Sequence, residues 1–221
     1  SNMKIIALTD IHGEISLLKH IRKTIEQADL ILLTGDITHF GRKNEIENIL
    51  KPLETFGKKI MAVPGNCDYE EVGQYLQYKS ISADRRYQVF KNICFAGLGG
   101  SLPCPGGTPN EYSENAFRTD MDKLYRKLPK QIPLVFMSHQ PPAGSCTDRL
   151  STGVHAGSVS VKQFIKKAEP VVCFCGHIHE GIGTDKIGAT RIINPGPFRN
   201  RKYALAEIDE KAKVKLEICS F

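Results

Sequence analysis

No apolar run in this sequence approaches the ~20 residues that a membrane span needs. Nor does any stretch near the start have the layout of a signal peptide. The run KIIALTD, residues 4–10, is short and ends in an acid, which suits a strand. A soluble, cytoplasmic protein is therefore expected. No CxxC pair occurs among the seven cysteines, at 67, 94, 104, 146, 173, 175 and 219. That argues against a zinc ribbon or thioredoxin-type site and for reduced thiols. Cys94 and Cys173, inside apolar runs, read as small core residues. Internal repeats, low-complexity tracts and linkers are absent, so residues 3–221 read as one domain, with Ser1-Asn2 ahead of Met3 taken as a tag scar. A strong basic stripe is missing too. The net charge of +6, from 30 basic and 24 acidic residues, is spread along the chain, and the group Arg199, Arg201 and Lys202 reads as a solvated loop. Nucleic acid is not an expected partner.

What is present is an alternation of apolar runs with amphipathic stretches. With 41% apolar residues, a single domain of this size buries roughly 70–75% of its unfolded surface, enough for one sizeable core. KIIALTD is followed by ISLLKHIRKTIEQA, where the spacing of Ile15, Leu18, Ile21 and Ile25 predicts a helix. Next come LILLTGD (30–36), a helical NEIENILKPLE and KIMAVPGN (59–66), the signature of a parallel α/β sheet. Strands YQVF and ICFAGLGG precede a Gly/Pro-rich loop, and residues 113–128 read as helix. IPLVFMSH (132–139) and VVCFCGH (171–177) resume the buried-strand pattern, with a long loop and a helix between them. The last four short strands are expected to form an antiparallel run closing a second sheet.

Five of these runs end in a polar residue suited to holding a metal: Asp10, Asp36, Asn66, His139 and His177. Ligands bind at the carboxyl ends of strands in open α/β sheets. His12 and His179 each follow a member of this set by two residues, a spacing that can aim both side chains at one centre. One Asp after a strand is usually a helix cap, and one histidine is usually structural. Four of the seven histidines in these strand-end motifs make coincidence the poorer reading. Two carboxylates, four imidazoles and an amide oxygen suit Mn²⁺, Fe²⁺, Zn²⁺ or Ni²⁺. Seven ligands are too many for one catalytic ion with open positions. They suit two ions sharing a carboxylate, a clamp for in-line phosphoryl chemistry with metals ~3.5–4 Å apart.

The motifs Asp-Ile-His at 10–12, Gly-Asp at 35–36, Gly-Asn-Cys-Asp at 65–68, Ser-His at 138–139 and Gly-His-Ile-His at 176–179 resemble the calcineurin-like metallophosphoesterase superfamily. Ile-Asn-Pro-Gly-Pro at 193–197 resembles a turn common near the end of these domains, and the chain looks most like the small prokaryotic Icc-related phosphoesterases. The resemblance implies a four-layer α/β/β/α sandwich of two mixed sheets, with the metal site at the C-terminal ends of strands. It implies that Asp10, His12, Asp36 and His179 hold one divalent ion, Mn²⁺ favoured. Asp36 would bridge to a second ion completed by Asn66, His139 and His177. A metal-bridging hydroxide would attack phosphorus in line, and Asn66 would also touch a phosphate oxygen.

The superfamily's commoner motif has histidine where Cys67 stands, donating near the leaving oxygen while the following acid, here Asp68, orients it. Cysteine is a weaker donor. General-acid help contributes about 10²–10⁴-fold, so its loss weighs most on poor leaving groups. Cysteine also stands here in members regarded as phosphodiesterases, which favours a diester of a small nucleotide or similar organic phosphate as substrate. Cys67 has two further readings, a metal ligand or a redox-sensitive thiol, both needing the thiolate. His155, in a His-x-Gly-Ser stretch similar to those of Icc-like relatives, is a candidate to reach the phosphate or donate a proton. Arg149 is a second such candidate, while His39 reads as a loop contact and His20 as a surface residue. Two other functions stay open: a phosphomonoesterase on nucleotides, and a non-catalytic interaction scaffold. The loop at 99–110 is expected either to cover the site or to serve a homodimer.

Overall fold

Strand β1 (Met3–Leu8) divides its side chains between two cores: Ile6 and Leu8 pack on one side, Met3, Ile5 and Ala7 on the other. A strand buried on both faces reads as a near-continuous apolar run, which is how it stands in the sequence. In the computed structural model, which describes residues 1–221, β1 pairs in parallel with β2 (Leu30–Thr34), and β2 with β3 (Lys59–Val63). The connecting helices α1 (Arg22–Gln27) and α2 (Lys43–Glu54), and then α3 (Glu70–Tyr78), cover the outer face of this sheet. Ile25, Ile46, Leu50, Leu53, Val72 and Leu76 supply their buried stripe.

A second sheet begins with the antiparallel pair β4 (Tyr87–Phe90) and β5 (Ile93–Leu98). It continues in parallel through β6 (Leu134–Ser138) and β7 (Val172–Cys175). Its outer face is covered by α4 (Glu114–Lys127) and α5 (Val159–Ala168). Each of these two helices starts at a serine whose hydroxyl accepts from a backbone N–H of the first turn: Ser113 from Ala116 and Ser158 from Val161, both at 3.1 Å. Phe117, Met121, Val161, Phe164 and Ile165 pack there against Phe136, Cys94 and Cys173. Between the sheets lies a third core that includes Leu32, Met61, Phe95, Met137, Phe174 and Ala204. The result is the expected four-layer α/β/β/α sandwich.

The chain's last strands differ from the expected single antiparallel run. The hairpin of β8 (Gly183–Ile187) and β9 (Thr190–Asn194) extends the second sheet, with β9 parallel to β7. The hairpin of β10 (Lys202–Ile208) and β11 (Val214–Ser220) crosses back to the first sheet, where β10 runs antiparallel to β1. Strand orders are β11-β10-β1-β2-β3 and β4-β5-β6-β7-β9-β8, so both sheets are mixed. The turn at 195–201, between the two hairpins, carries the chain from one sheet to the other. The predicted first helix also changes. Residues Ile15–His20 form a 3-10 turn, and only Arg22–Gln27 are α-helical. The reason is in the spacing: Ile15, Leu18 and Ile21 recur every three residues, matching three residues per turn, whereas Ile21 to Ile25 is the α-helical step of four. No helix is long and apolar enough to cross a membrane.

Candidate metal centre

Strands β1, β2 and β3 of one sheet and β6 and β7 of the other point their carboxyl ends at a common rim. The residues just beyond those ends carry Asp10, Asp36, Asn66, His139 and His177. Asp10, His12, Asp36 and His177 have positive φ, at 52°, 46°, 47° and 65°, a left-handed conformation that costs energy for a side chain other than glycine. The turn glycines leave no room for more. A Cβ on Gly65 would meet the Asp36 amide and carboxylate, and one on Gly35 would meet the His139 ring.

Each carboxylate has one oxygen tied by the protein and one left facing the centre. Asp10 Oδ2 accepts from the Thr9 hydroxyl at 2.7 Å and the His177 amide at 3.1 Å. Its Oδ1 lies 3.0 Å from His179 Nε2 and 3.7 Å from His12 Nε2. Asp36 Oδ1 accepts from the Cys67 amide at 2.8 Å. Its Oδ2 lies between His12 Nε2, at 3.6 Å, and His139 Nε2, at 3.4 Å. The imidazoles are aimed in the same way. His139 donates Nδ1–H to the Thr34 carbonyl at 2.8 Å, which leaves Nε2 turned to Asn66 Oδ1 at 2.9 Å. His12 Nδ1 lies 3.3 Å from His39 Nδ1. The Nε2 of His12 is buried with no hydrogen-bond partner.

Electrostatics follow from burial and crowding. Burial pushes the Asp10 carboxyl up, but the nearby His12 ring, the hydrogen bond from His179 and the His139 charge outweigh it, holding Asp10 well below the usual carboxylate range. Asp36 is lowered in the same way: burial is outweighed by His139, whose own value rises to about 9 because Asp36 offsets its desolvation. Burial, helped by the His139 charge, pushes His177 down to about 4, so its ring is neutral with a lone pair to offer.

These donors fit divalent ions. Asp10, His12 and His179 bring one ligand atom each within 4.8 Å of one another, and Asp36, His139 and His177 do the same. The orphaned His12 Nε2 is an unusual thing to bury, since a buried polar atom without a partner costs about 1–3 kcal/mol. A cation beside it removes that cost. The set of carboxylate, imidazole and amide oxygen is that of borderline divalent metals.

The other residues singled out from the sequence fall as follows. Cys67 is buried, and its Sγ joins His12 and Asp36 in a third cluster of the same size. Burial and the Asp36 charge push its thiol up, against the thiolate. Asp68 does not face the centre as an orienting acid. Its carboxylate accepts from the Thr38 hydroxyl at 2.6 Å, the Thr38 amide at 2.9 Å, the Gly65 amide at 2.7 Å and the Ile37 amide at 3.2 Å. It pins the Asp36 loop to the Asn66 loop. Asp68→Ala is therefore expected to cost about 2–3 kcal/mol by leaving buried amides unpaired, read as a lower urea midpoint. A variant of unchanged stability would show that these bonds contribute nothing.

The loop at 99–110 covers the Asn66 side of the centre. Asn66 Nδ2 donates to Thr108 Oγ1 at 3.2 Å, which fixes the amide with its oxygen toward His139. Cys104 Sγ lies 3.8 Å from His177 Nε2. His155 is exposed and bonded to Asp148, and Arg149 bridges to it through the backbone. Sequence reasoning missed Thr9, Thr108, Asp148 and Asn194, although Asn194 sits in the noted Asn-Pro-Gly turn. Asn194 Nδ2 reaches the carbonyls of Thr147, Gly176 and Ile178 at 3.2, 3.4 and 2.9 Å, locking the loop of His177 and His179. A separate cavity of about 680 Å³, lined by residues such as Lys4, Thr24, Arg191 and Glu207, takes no part in this site.

Two mixed sheets back to back, with carboxylates and imidazoles gathered at one rim, define a metallophosphoesterase. The chain belongs to the calcineurin-like phosphoesterase family, whose model matches residues 3–181. It is 38% identical over 199 residues to protein MJ1162 of Methanocaldococcus jannaschii, covering 88% of each chain. It is 23% identical over 175 residues to the "Probable glycerophosphodiester phosphodiesterase GpdQ" of Arcobacter nitrofigilis, covering 77% of this chain and 64% of that one. The crystal structure of TT1561 of Thermus thermophilus shares the fold, with a TM-score of 0.75, 20% identity and coverage of 100% of this chain and 99% of that one.

Proposed function

We propose that this phosphoesterase hydrolyses a phosphodiester in a small nucleotide or similar organic phosphate, using two divalent ions, with Mn²⁺ favoured. One observation carries the reading: Asp36 belongs to the cluster of His139 and His177, and its Oδ2 also lies 3.6 Å from His12 of the other cluster, between His12 and His139. Asp10, His12 and His179 would hold one ion, and Asn66, His139 and His177 the other, with Asp36 common to both. When bound, such ions neutralise phosphoryl charge and lower the pKa of water enough to make it a nucleophile at neutral pH.

The chain's own residues do the remaining work. Thr9, Thr34 and the His177 and Cys67 amides fix which oxygen or nitrogen of each ligand faces the centre, so little reorganisation is left for the reaction. The loop at 99–110 shields the Asn66 side from water. Cys67, a buried thiol pushed away from ionisation, is a poor proton source for a leaving alkoxide. The name of the GpdQ relative supports the diester choice.

The test compares bis-p-nitrophenyl phosphate with p-nitrophenyl phosphate on metal-stripped protein reloaded with Mn²⁺, Fe²⁺, Zn²⁺ or Ni²⁺. Diester cleavage well above monoester cleavage, strongest with Mn²⁺, is the expected result. Faster monoester cleavage would overturn the diester choice and keep the metal centre. Inertness to both esters with every ion would favour a scaffold.

A further inference from the structure

Outside the ligand set, one pair of side chains has the form of a proton-handling device. Asp148 is fully buried, and its Oδ2 accepts from the Gly144 amide at 3.0 Å and the Gly157 amide at 2.9 Å. Its Oδ1 lies 2.6 Å from Nδ1 of His155, whose side chain is 47% exposed. A carboxylate only accepts, so Nδ1 carries a proton toward Asp148. The exchangeable nitrogen is then Nε2, on the exposed half of the pair. Buried acid, imidazole and open Nε2 together form the arrangement that orients a general acid or base.

The dyad is fastened to the metal centre on two sides. Gln140, next to the ligand His139, donates Nε2–H to the Ala156 carbonyl at 3.0 Å, beside His155. The same side chain accepts from the Leu102 amide at 2.9 Å, tying in the covering loop. On the other side the Ser151 amide donates to Glu180, next to the ligand His179. The Thr147 carbonyl, beside Asp148, shares the Asn194 amide with the loop of His177 and His179. Gly181 packs so closely on Thr147 that a Cβ there would meet its carbonyl.

We propose that His155, oriented by Asp148, meets the leaving oxygen of the substrate and protonates it, the task for which Cys67 is poorly suited. This rests on the phosphodiesterase reading above. Water's oxygen forms the new bond to phosphorus and gives up one proton to solvent. The bond from phosphorus to the leaving oxygen breaks with its electron pair on that oxygen, which takes the proton from Nε2. The imidazole is left neutral, with its Nδ1 proton still shared with Asp148, and regains a proton from solvent. His155 is thus a catalytic residue and Asp148 its positioning residue.

The experiment compares methyl p-nitrophenyl phosphate, with a good leaving group, and methyl phenyl phosphate, with a poor one, on Mn²⁺-loaded protein. His155→Ala should lose about 10²-fold in kcat with the phenyl ester and less than about threefold with the nitrophenyl ester, at unchanged metal content. His155→Gln, which keeps a donor for Asp148 but cannot pass on a proton, should behave as the alanine variant does. Asp148→Asn should show the same leaving-group dependence, with its fold checked by circular dichroism. Equal losses on both esters, rescue by glutamine, or no loss at all would overturn the proposal while leaving the phosphodiesterase reading standing. Wild-type protein inert to both esters would overturn that reading and this inference with it.

Discussion

Asp36→Asn is expected to lower bis-p-nitrophenyl phosphate hydrolysis by at least about 10³-fold and to reduce bound metal. The argument is electrostatic. The substitution hardly changes shape, and Oδ1 can still accept from the Cys67 amide. What is lost is the negative charge between His12 and His139, where Oδ2 now stands 3.6 and 3.4 Å from their Nε2 atoms. Loss of one supporting hydrogen-bond donor in a charge-stabilising site typically costs about 10²–10³-fold. Asp36 is asked to serve both halves of the site, so the loss should reach or exceed the top of that range. The fold should survive, because without the Asp36 charge the buried His139 sheds its extra proton and no unpaired buried charge is left. Elemental analysis and a thermal melt check both halves of this expectation. Activity within tenfold of wild type at full metal content would overturn the bridging role proposed for Asp36.

Phe174→Ala is expected to destabilise the protein by about 3–5 kcal/mol, a large share of the roughly 5–15 kcal/mol that holds a domain folded. Phe174 is 1% exposed in the core between the two sheets, on β7, flanked in register by Met137 and Ile193. Side chains from both sheets converge on it, so relaxation of one wall is opposed by the other and the cavity stays open. The urea midpoint should fall by roughly 1–2 M. A loss below about 1.5 kcal/mol would mean that the two sheets close over the gap.

The strand ends were legible for a physical reason. Parallel strands buried on both faces must be apolar throughout, so the polar residues that close each run mark the rim where ligands gather. Asp10, Asp36, Asn66, His139 and His177 stand out there as the residues at or next to that boundary whose chemistry suits a metal. The helix α3 was not anticipated, since its acidic start resembles a loop, although Val72 and Leu76 keep a helical step. The destination of the last two hairpins was hidden because short strands with alternating polarity fit either sheet. Asp148 was hidden more deeply. Nothing in its spacing from His155 predicts their contact, which the tight turn of residues 150–154 creates. The partners of Asp68 in the Ile37, Thr38 and Gly65 amides were hidden as well, because a sequence motif shows neighbours along the chain and not the amides that converge on a side chain in space.

Asp10 and His179 meet from positions 169 residues apart, and the candidate ligands come from both sheets. Affinity for a bound metal would thus be a property of the docked pair of sheets and not of either half alone. A ligand that binds only the docked state stabilises it by RT ln(1 + [L]/Kd), which is about 2.7 kcal/mol at one hundred times Kd. Metal concentration is therefore expected to act as a thermodynamic handle on inter-sheet docking, and melting temperature plotted against free divalent metal would read out how tightly the two halves are coupled.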